Sequence, residues 1–297
     1  MRKSNNLSML RFSPEFEFNT HYTMEDLQDL LRVHNLDWQV EEDLSVPNGW
    51  EVHPISSNQL QGNTGAMECQ RLLAVLNANC NPIQTPKTGF HIHWNLLDAD
   101  GVGIMSPMQL TNIFIDWYNF KRVIELILPE SRRGDYQDNL GGVSMQFIRD
   151  MQTYADRLGK DDKTKTAELI GAYGTGNCRD IRINSAHKTL EFRKAIFTVD
   201  DNKLNFWIEF TRNFVKFNMA KRQKNFRHFM DDCSNRLSLS HPKGLAWSFR
   251  SVFQYRAGNF GAMKWAEKRA LQLARNNTHM VDTIQGITEE CRAKNNS

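Results

Sequence analysis

Short runs of alternating polar and bulky apolar residues recur along the chain. Between them lie longer stretches in which apolar residues return every three or four positions. The first pattern predicts strands and the second helices, because residues two apart share a strand face and residues three or four apart share a helix face. In the first run Phe12, Phe16 and Phe18 oppose Glu15 and Glu17. Trp50 and Val52 then oppose Glu51 and His53, and Phe90, Ile92 and Trp94 oppose His91, His93 and Asn95. Ile181 and Ile183 oppose Arg182 and Asn184, and Leu190 and Phe192 oppose Glu191 and Arg193.

Helices are predicted over residues 23–35, with Thr23 as N-cap ahead of Asp26, and over 64–79, with Leu72, Leu73 and Leu76 on one stripe. A third opens at Ser106-Pro107, proline suiting a first helical turn, and runs through Trp117 and Ile124 to a stop before Pro129. Residues 130–142 read as loop and 161–166 as a charged turn. From about residue 200 the chain reads as mostly helical, with breaks at 240–244 and 276–277. The expected fold is α+β: an antiparallel sheet with helices on one face, an open concave second face, and a helical C-terminal part. The expected division is residues 1–217 as the sheet-bearing domain and 218–297 as a helical extension packed on it.

Composition narrows the class. With 297 residues, 40% hydrophobic and 24% charged, the chain can bury a core. No apolar run is long enough to cross a membrane, and no apolar segment follows the basic residues at the N-terminus, so no membrane partner is expected. The five cysteines include no C-x-x-C, which predicts reduced thiols in a cytoplasmic protein. The net charge of +3 is unevenly spread: −7 over residues 1–100, 0 over 101–211 and +10 over 212–297.

If the five strands share a sheet, its open face gathers Glu15, Glu17, Glu51, His91, His93, Arg182, Glu191 and Arg193. Carboxylates at close quarters repel unless cations neutralise them. Oxygen ligands with one imidazole suit hard divalent ions such as Mg²⁺ or Mn²⁺, and the arginines suit an anionic ligand bridged to them, phosphate foremost. Taken singly, an E-x-E strand is an ordinary solvated face and an E-x-R strand an ordinary cross-strand ion pair; their conjunction is what points to chemistry.

The order of these runs resembles the amidoligase family of carboxylate–amine ligases, in the glutamine synthetase and glutamate–cysteine ligase superfamily. Glu15-Phe16-Glu17-Phe18 looks like its opening G-x-E-x-E strand. Gly49-Trp50-Glu51-Val52 with Pro54, preceded by Asp43-Leu44-Ser45, is similar to its second motif. Thr88-Gly89-Phe90-His91-Ile92-His93 resembles its G-x-H-V-H strand, and Asn184 with Thr189-Leu190-Glu191-Phe192-Arg193 its closing N … T-x-E-F-R segment. The likeness covers roughly residues 12–217. It departs at Phe12-Ser13-Pro14, which lacks the usual glycine, and at His53, where a small residue is usual.

The resemblance implies a glutamine-synthetase-like catalytic fold using ATP with Mg²⁺ or Mn²⁺. ATP phosphorylates a carboxylate, and an amine displaces the phosphate to form an amide. It implies Glu15, Glu17, Glu51 and Glu191 as metal ligands, with His91 or His93 completing a site. His91, which directly follows the Gly89-Phe90 turn, is the preferred one. Arg193, Arg182 and Glu51 are then the catalytic groups; Arg193, Arg182, His93 and Asn184 contact the nucleotide, and Asp43 is a further substrate contact. The partners are small-molecule or peptide carboxylates and amines.

Two other readings compete. One is a metal-dependent hydrolase or phosphoesterase built on His91, His93 and the carboxylates, which needs neither nucleotide nor two arginines. The other is nucleic-acid binding through the basic C-terminal third, where Lys221, Arg222, Lys224 and Arg227 cluster and Lys264, Lys268, Arg269 and Arg275 recur among aromatics. Gly171–Gly176 is glycine-rich but lacks the Lys-Ser/Thr of a phosphate-binding loop, and reads as a loop beside the site.

Overall fold

A computed structural model describes residues 10–46, 48–55, 59–133, 145–174, 180–220, 248–256 and 260–274, with 281, 284–286 and 289. The chain divides into two compact units, Met1–Ile104 with Thr166–Ile208, and Met105–Lys165 with Glu209–Ser297.

The first unit holds β1 (Phe12–Asn19), α1 (Met24–Val33), β2 (Trp38–Asp43), β3 (Gly49–Pro54), α2 (Gly62–Asn79), β4 (Gly89–Asn95), α5 (Thr166–Tyr173), β5 (Ile181–Asn184) and β6 (Thr189–Ile196). The strands form one open six-stranded sheet in the order β2-β3-β1-β4-β6-β5, and every pair is antiparallel. All five predicted strands are present, and the predicted α+β class stands. The sixth, β2, carries the same alternation: Trp38 and Val40 are buried while Gln39 and Glu41 are exposed. Glu41-Glu42-Asp43 then interrupts the pattern.

The apolar face is an aromatic layer. Phe12, Phe16, Phe18 and Phe90 are fully buried; Phe16 stacks on Phe90 at 4.9 Å, Phe12 meets Trp94 at 5.2 Å, and Phe18 meets Phe197 at 5.2 Å. α2 lies against it: a Cβ on Gly65 would stand 3.0 Å from the Phe12 ring, so the missing side chain is what admits the helix. Thr23 caps α1 as expected, exchanging hydrogen bonds with Asp26. Cys69 and Cys80 are free, buried thiols.

The second unit is helical: α3 (Pro107–Glu125), α4 (Met145–Leu158), the C-terminal part of α6 (Asp201–Met219), a π-helical segment Ser251–Arg256 and α7 (Phe260–Leu273). α3 starts where the sequence places it, with Ser106 and Gln109 closing a capping box ahead of Pro107. Asp116 on α3 is fully buried and takes two hydrogen bonds from Arg256, at 3.0 and 3.4 Å. The guanidinium also donates to the Ser251 carbonyl at 2.9 Å and lies 4.2 and 4.7 Å from the Phe120 and Phe217 ring centres. Among the described residues no helix is long and apolar enough to cross a membrane.

Candidate metal centre

The pairing register lines the chemistry up in rungs across the second face of the sheet. Glu41 on β2 faces Glu51 on β3, which faces Glu17 on β1. Glu15 faces His91 on β4. Ser13 faces His93, His93 faces Glu191 on β6, and Glu191 faces Arg182 on β5. Antiparallel neighbours sit about 4.5–5.5 Å apart, so side chains from successive rungs meet.

They converge tightly. His93 Nε2 lies 2.8 Å from Glu15 Oε1 and 3.8 Å from Glu191 Oε1. His91 Nδ1 lies 3.3 to 3.5 Å from oxygens of Glu17, Glu15 and Glu191. Arg182 Nε contacts Glu191 Oε2, and Arg193 Nε stands 3.0 Å from Glu191 Oε1. Glu51 is half-buried and joins through its rung with Glu17. Asn184 Oδ1 accepts the His187 N–H at 3.1 Å in the β5–β6 turn; Asp43 Oδ1 accepts the Ser45 N–H at 2.8 Å, while its Oδ2 is buried without a hydrogen bond.

The face is not open at its centre. Glu191 is 0% exposed, His93 2%, His91 3% and Glu17 5%. Strand period places residues on a face but says nothing of how far long side chains fold over their neighbours. Here Arg182 and Arg193 lie against Glu191 and are themselves partly exposed, at 35% and 29%.

Burial makes these charges depend on one another. It works against the Glu15 carboxylate, but the charge of His93 and the hydrogen bonds of His91 and His93 outweigh it and hold the group well below its ordinary range. Burial likewise opposes Glu191, and His93, His91 and Arg193 overcome it, lowering the group. His93 is raised: burial disfavours its imidazolium, but Glu15 and Glu191 more than compensate. Glu51 goes the other way. Burial, and then the charges of Glu15, Glu17, Asp43 and Glu41, push it up to about 8.

Two further residues shape the centre. A Cβ on Gly89 would overlap Glu17 Oε2 and stand 2.9 Å from His91 Nε2, so glycine opens the space those side chains fill. Thr189 Oγ1 lies in hydrogen-bond contact with His93 Nδ1 at 2.9 Å, while Nε2 faces Glu15 and Glu191. Both stand within the quoted motifs, yet neither could be given a role before the register was known.

Pairing also supplies what alternation misses. Phe90 pairs with Ala195 and Ile92 with Phe192, so β6 takes three steps where β4 takes two, a bulge at Arg193-Lys194 opposite His91. Lys194 is buried there with its Nζ 3.1 Å from Asp180 Oδ1. Of the glycine-rich stretch, Gly171–Tyr173 is the last turn of α5 rather than loop, Leu169 and Ile170 being buried on it; Thr175 and Gly176 lie outside the described residues.

The donor set fits a divalent cation. Glu15, His93 and Glu191 offer ligand atoms all within 4.8 Å of one another. His93 Nε2 and Glu191 Oε1 are buried without an aligned hydrogen bond, although both stand close to other polar atoms. Two carboxylates and an imidazole crowded around one point in this way are what a shared cation would draw together.

In the basic third, Lys264 and Lys268 are exposed on α7, while Phe249 and Phe253 are buried and packed together at 4.7 Å. Lys221, Arg222, Lys224, Arg227 and Arg275 lie outside the described residues. Compared with known proteins, the chain matches no family model and no curated sequence, so its own residues carry the functional reading.

Proposed function

We propose that this protein is an ATP-dependent carboxylate–amine ligase of the amidoligase type, its sheet serving as a glutamine-synthetase-like catalytic face. One observation carries the reading: Glu15, Glu17, His91, His93 and Glu191 meet the arginines Arg182 and Arg193 on one sheet face, in the chain order the motifs require. A hydrolase needs the carboxylates and imidazoles but has no evident use for two guanidinium groups on a single buried carboxylate.

Glu15, His93 and Glu191 form the primary cation site, flanked by Glu17, Glu51 and His91. ATP held with Mg²⁺ or Mn²⁺ would supply its γ-phosphoryl group to the substrate carboxylate with ADP as leaving group, so that an amine could displace phosphate and form the amide. The protein's part is electrostatic and positional. Arg182 and Arg193, fixed donors with forked geometry, hold the transferred phosphoryl oxygens or the substrate carboxylate. Thr189 keeps His93 in one ring orientation, and burial of Glu191 and both histidines excludes water from a reactive acyl donor.

The test is release of ADP and phosphate from ATP with Mg²⁺ across a panel of carboxylates and amines. Glu17→Ala and Arg193→Ala are expected to abolish it while the fold is retained. Hydrolysis that needs no nucleotide and survives Arg193→Ala would replace this reading with the metallohydrolase.

A further inference from the structure

We propose that the buried Lys194–Asp180 pair is a positioning device that aims Arg193 along β6 at the Glu191 carboxylate. The ligase reading enters only in what Arg193 then holds, the phosphoryl or carboxylate oxygens of a ligand.

The bulge is the starting point. With regular pairing, the residue after Arg193 would fall on the aromatic face, among Phe16, Phe90 and Phe192. The extra residue in β6 breaks that alternation and gives Arg193 and Lys194 together the span opposite His91. Lys194 is 1% exposed, and an ammonium group removed from water requires a counter-charge. Asp180, immediately before β5 and equally buried, supplies it at 3.1 Å.

Asp180 also grips β6 a second time. Its backbone carbonyl accepts the Arg193 N–H at 2.9 Å. One residue therefore holds two successive positions of the bulge, the backbone of Arg193 and the side chain of Lys194. From that fixed backbone the Arg193 side chain reaches back along its own strand to Glu191 Oε1 at 3.0 Å. Arginine has many rotamers, and holding its backbone at a bulge selects the ones that lie across the face. Bulges beside sites commonly re-aim a side chain, and here the ion pair keeps the bulge in place.

The experiment reads Arg193 directly, in the cation-free full chain, through its Nε–H signal in ¹⁵N nuclear magnetic resonance, assigned by its absence in Arg193→Lys. Lys194→Met and Asp180→Asn each remove one charge of the buried pair and can unfold the protein. The double variant Lys194→Met/Asp180→Asn removes both opposite charges together and is the decisive one. Its expected result is an unchanged circular dichroism spectrum with loss of the solvent protection of the Arg193 Nε–H signal. An unchanged, still protected signal in the folded double variant would overturn the proposal.

A second arm measures binding of a non-hydrolysable ATP analogue with Mn²⁺. A charge-assisted hydrogen bond to an anion is worth about tenfold or more in affinity, so the double variant is expected to bind at least about tenfold more weakly. Adding Arg193→Ala should weaken it no further, because the pair acts through Arg193; losses that simply multiply would overturn the positioning role. Failure of the unaltered protein to bind the analogue would sink the ligase reading alone and leave the resonance arm to decide the positioning.

Discussion

The two units each bury charge, and they do so in opposite ways. In the helical unit a carboxylate meets a guanidinium: Asp116 takes two hydrogen bonds from Arg256, which also donates to the Ser251 carbonyl and lies over two aromatic rings. The pair links α3 to the π-helical segment. In the sheet unit Glu15, Glu17, Glu51 and Glu191 crowd around two histidines and two arginines, and buried atoms of His93 and Glu191 make no aligned hydrogen bond. The histidines and Arg193 offset the burial of Glu15 and Glu191, whereas Glu51 is raised by burial and by the carboxylates around it, so part of this cluster works against the fold. One unit sets a carboxylate against a guanidinium; the other sets several carboxylates against one another.

The largest expected effect breaks the helical side. Asp116→Ala leaves Arg256 charged, buried and unpaired, and should lower stability by about 3–5 kcal/mol in chemical denaturation. The double variant Asp116→Leu/Arg256→Met should recover most of that loss, as apolar replacements of buried pairs commonly do. A loss below about 1 kcal/mol for the single variant would show that Asp116 is no structural keystone and erase half of the contrast.

The next effect lies in pH. Glu51 is raised from its ordinary 4.5 to about 8, so between those values the folded protein holds a proton that the unfolded chain releases. Stability must then fall as pH rises through that window, with a slope of about 1 kcal/mol per pH unit. Glu15 and Glu191 are lowered, so their contribution is present above the ordinary value and disappears only as pH falls through their lowered ones. His93 is raised, so its contribution is complete below 6.5 and lost only as pH climbs past its raised value. Cation-free protein should therefore be most stable in mild acid and lose stability from pH 6 to 8. Glu51→Gln should flatten that fall, and so should saturating Mn²⁺, which favours the ionised carboxylate. A slope left unchanged by Glu51→Gln would mean that Glu51 is not the group strained by the cluster, whereas a reduced remainder is the part due to His93.

How much of this was legible in the sequence follows from what alternation can carry. Phe12, Phe16 and Phe18 against Glu15 and Glu17 gave away β1 because a strand with one apolar face must alternate, and the chemistry alternates likewise in β3 to β6, although β4 is buried on both faces. β2 escaped because Glu41-Glu42-Asp43 hides the period set by Trp38 and Val40. Gly171 to Tyr173 looked like loop from composition, but buried Leu169 and Ile170 hold them in a helix. The bulge at Arg193-Lys194 and the Lys194–Asp180 pair are properties of pairing between strands, which no single run encodes. The burial of Glu191 and the pairing of Asp116 with a partner 140 positions away depend on tertiary packing alone.

The smallest of these effects is the sharpest test of what the sheet cluster is for. Thr189→Val removes the hydroxyl that hydrogen-bonds His93 Nδ1 but keeps a β-branched side chain of similar volume in β6. If the cluster were only a strained ion-pair network, freeing Nδ1 would matter little beyond one hydrogen bond, about 1 kcal/mol of stability. If His93 Nε2 is a cation ligand, losing the group that orients the ring and fixes its tautomer should weaken Mn²⁺ binding by about tenfold or more, measured by electron paramagnetic resonance titration. Thr189→Ser, which restores the hydroxyl, should regain most of the affinity without regaining the β-branch. Equal Mn²⁺ affinity in Thr189→Val and Thr189→Ser would assign the hydroxyl to packing, and would leave Glu15 and Glu191 to hold any cation without an oriented imidazole.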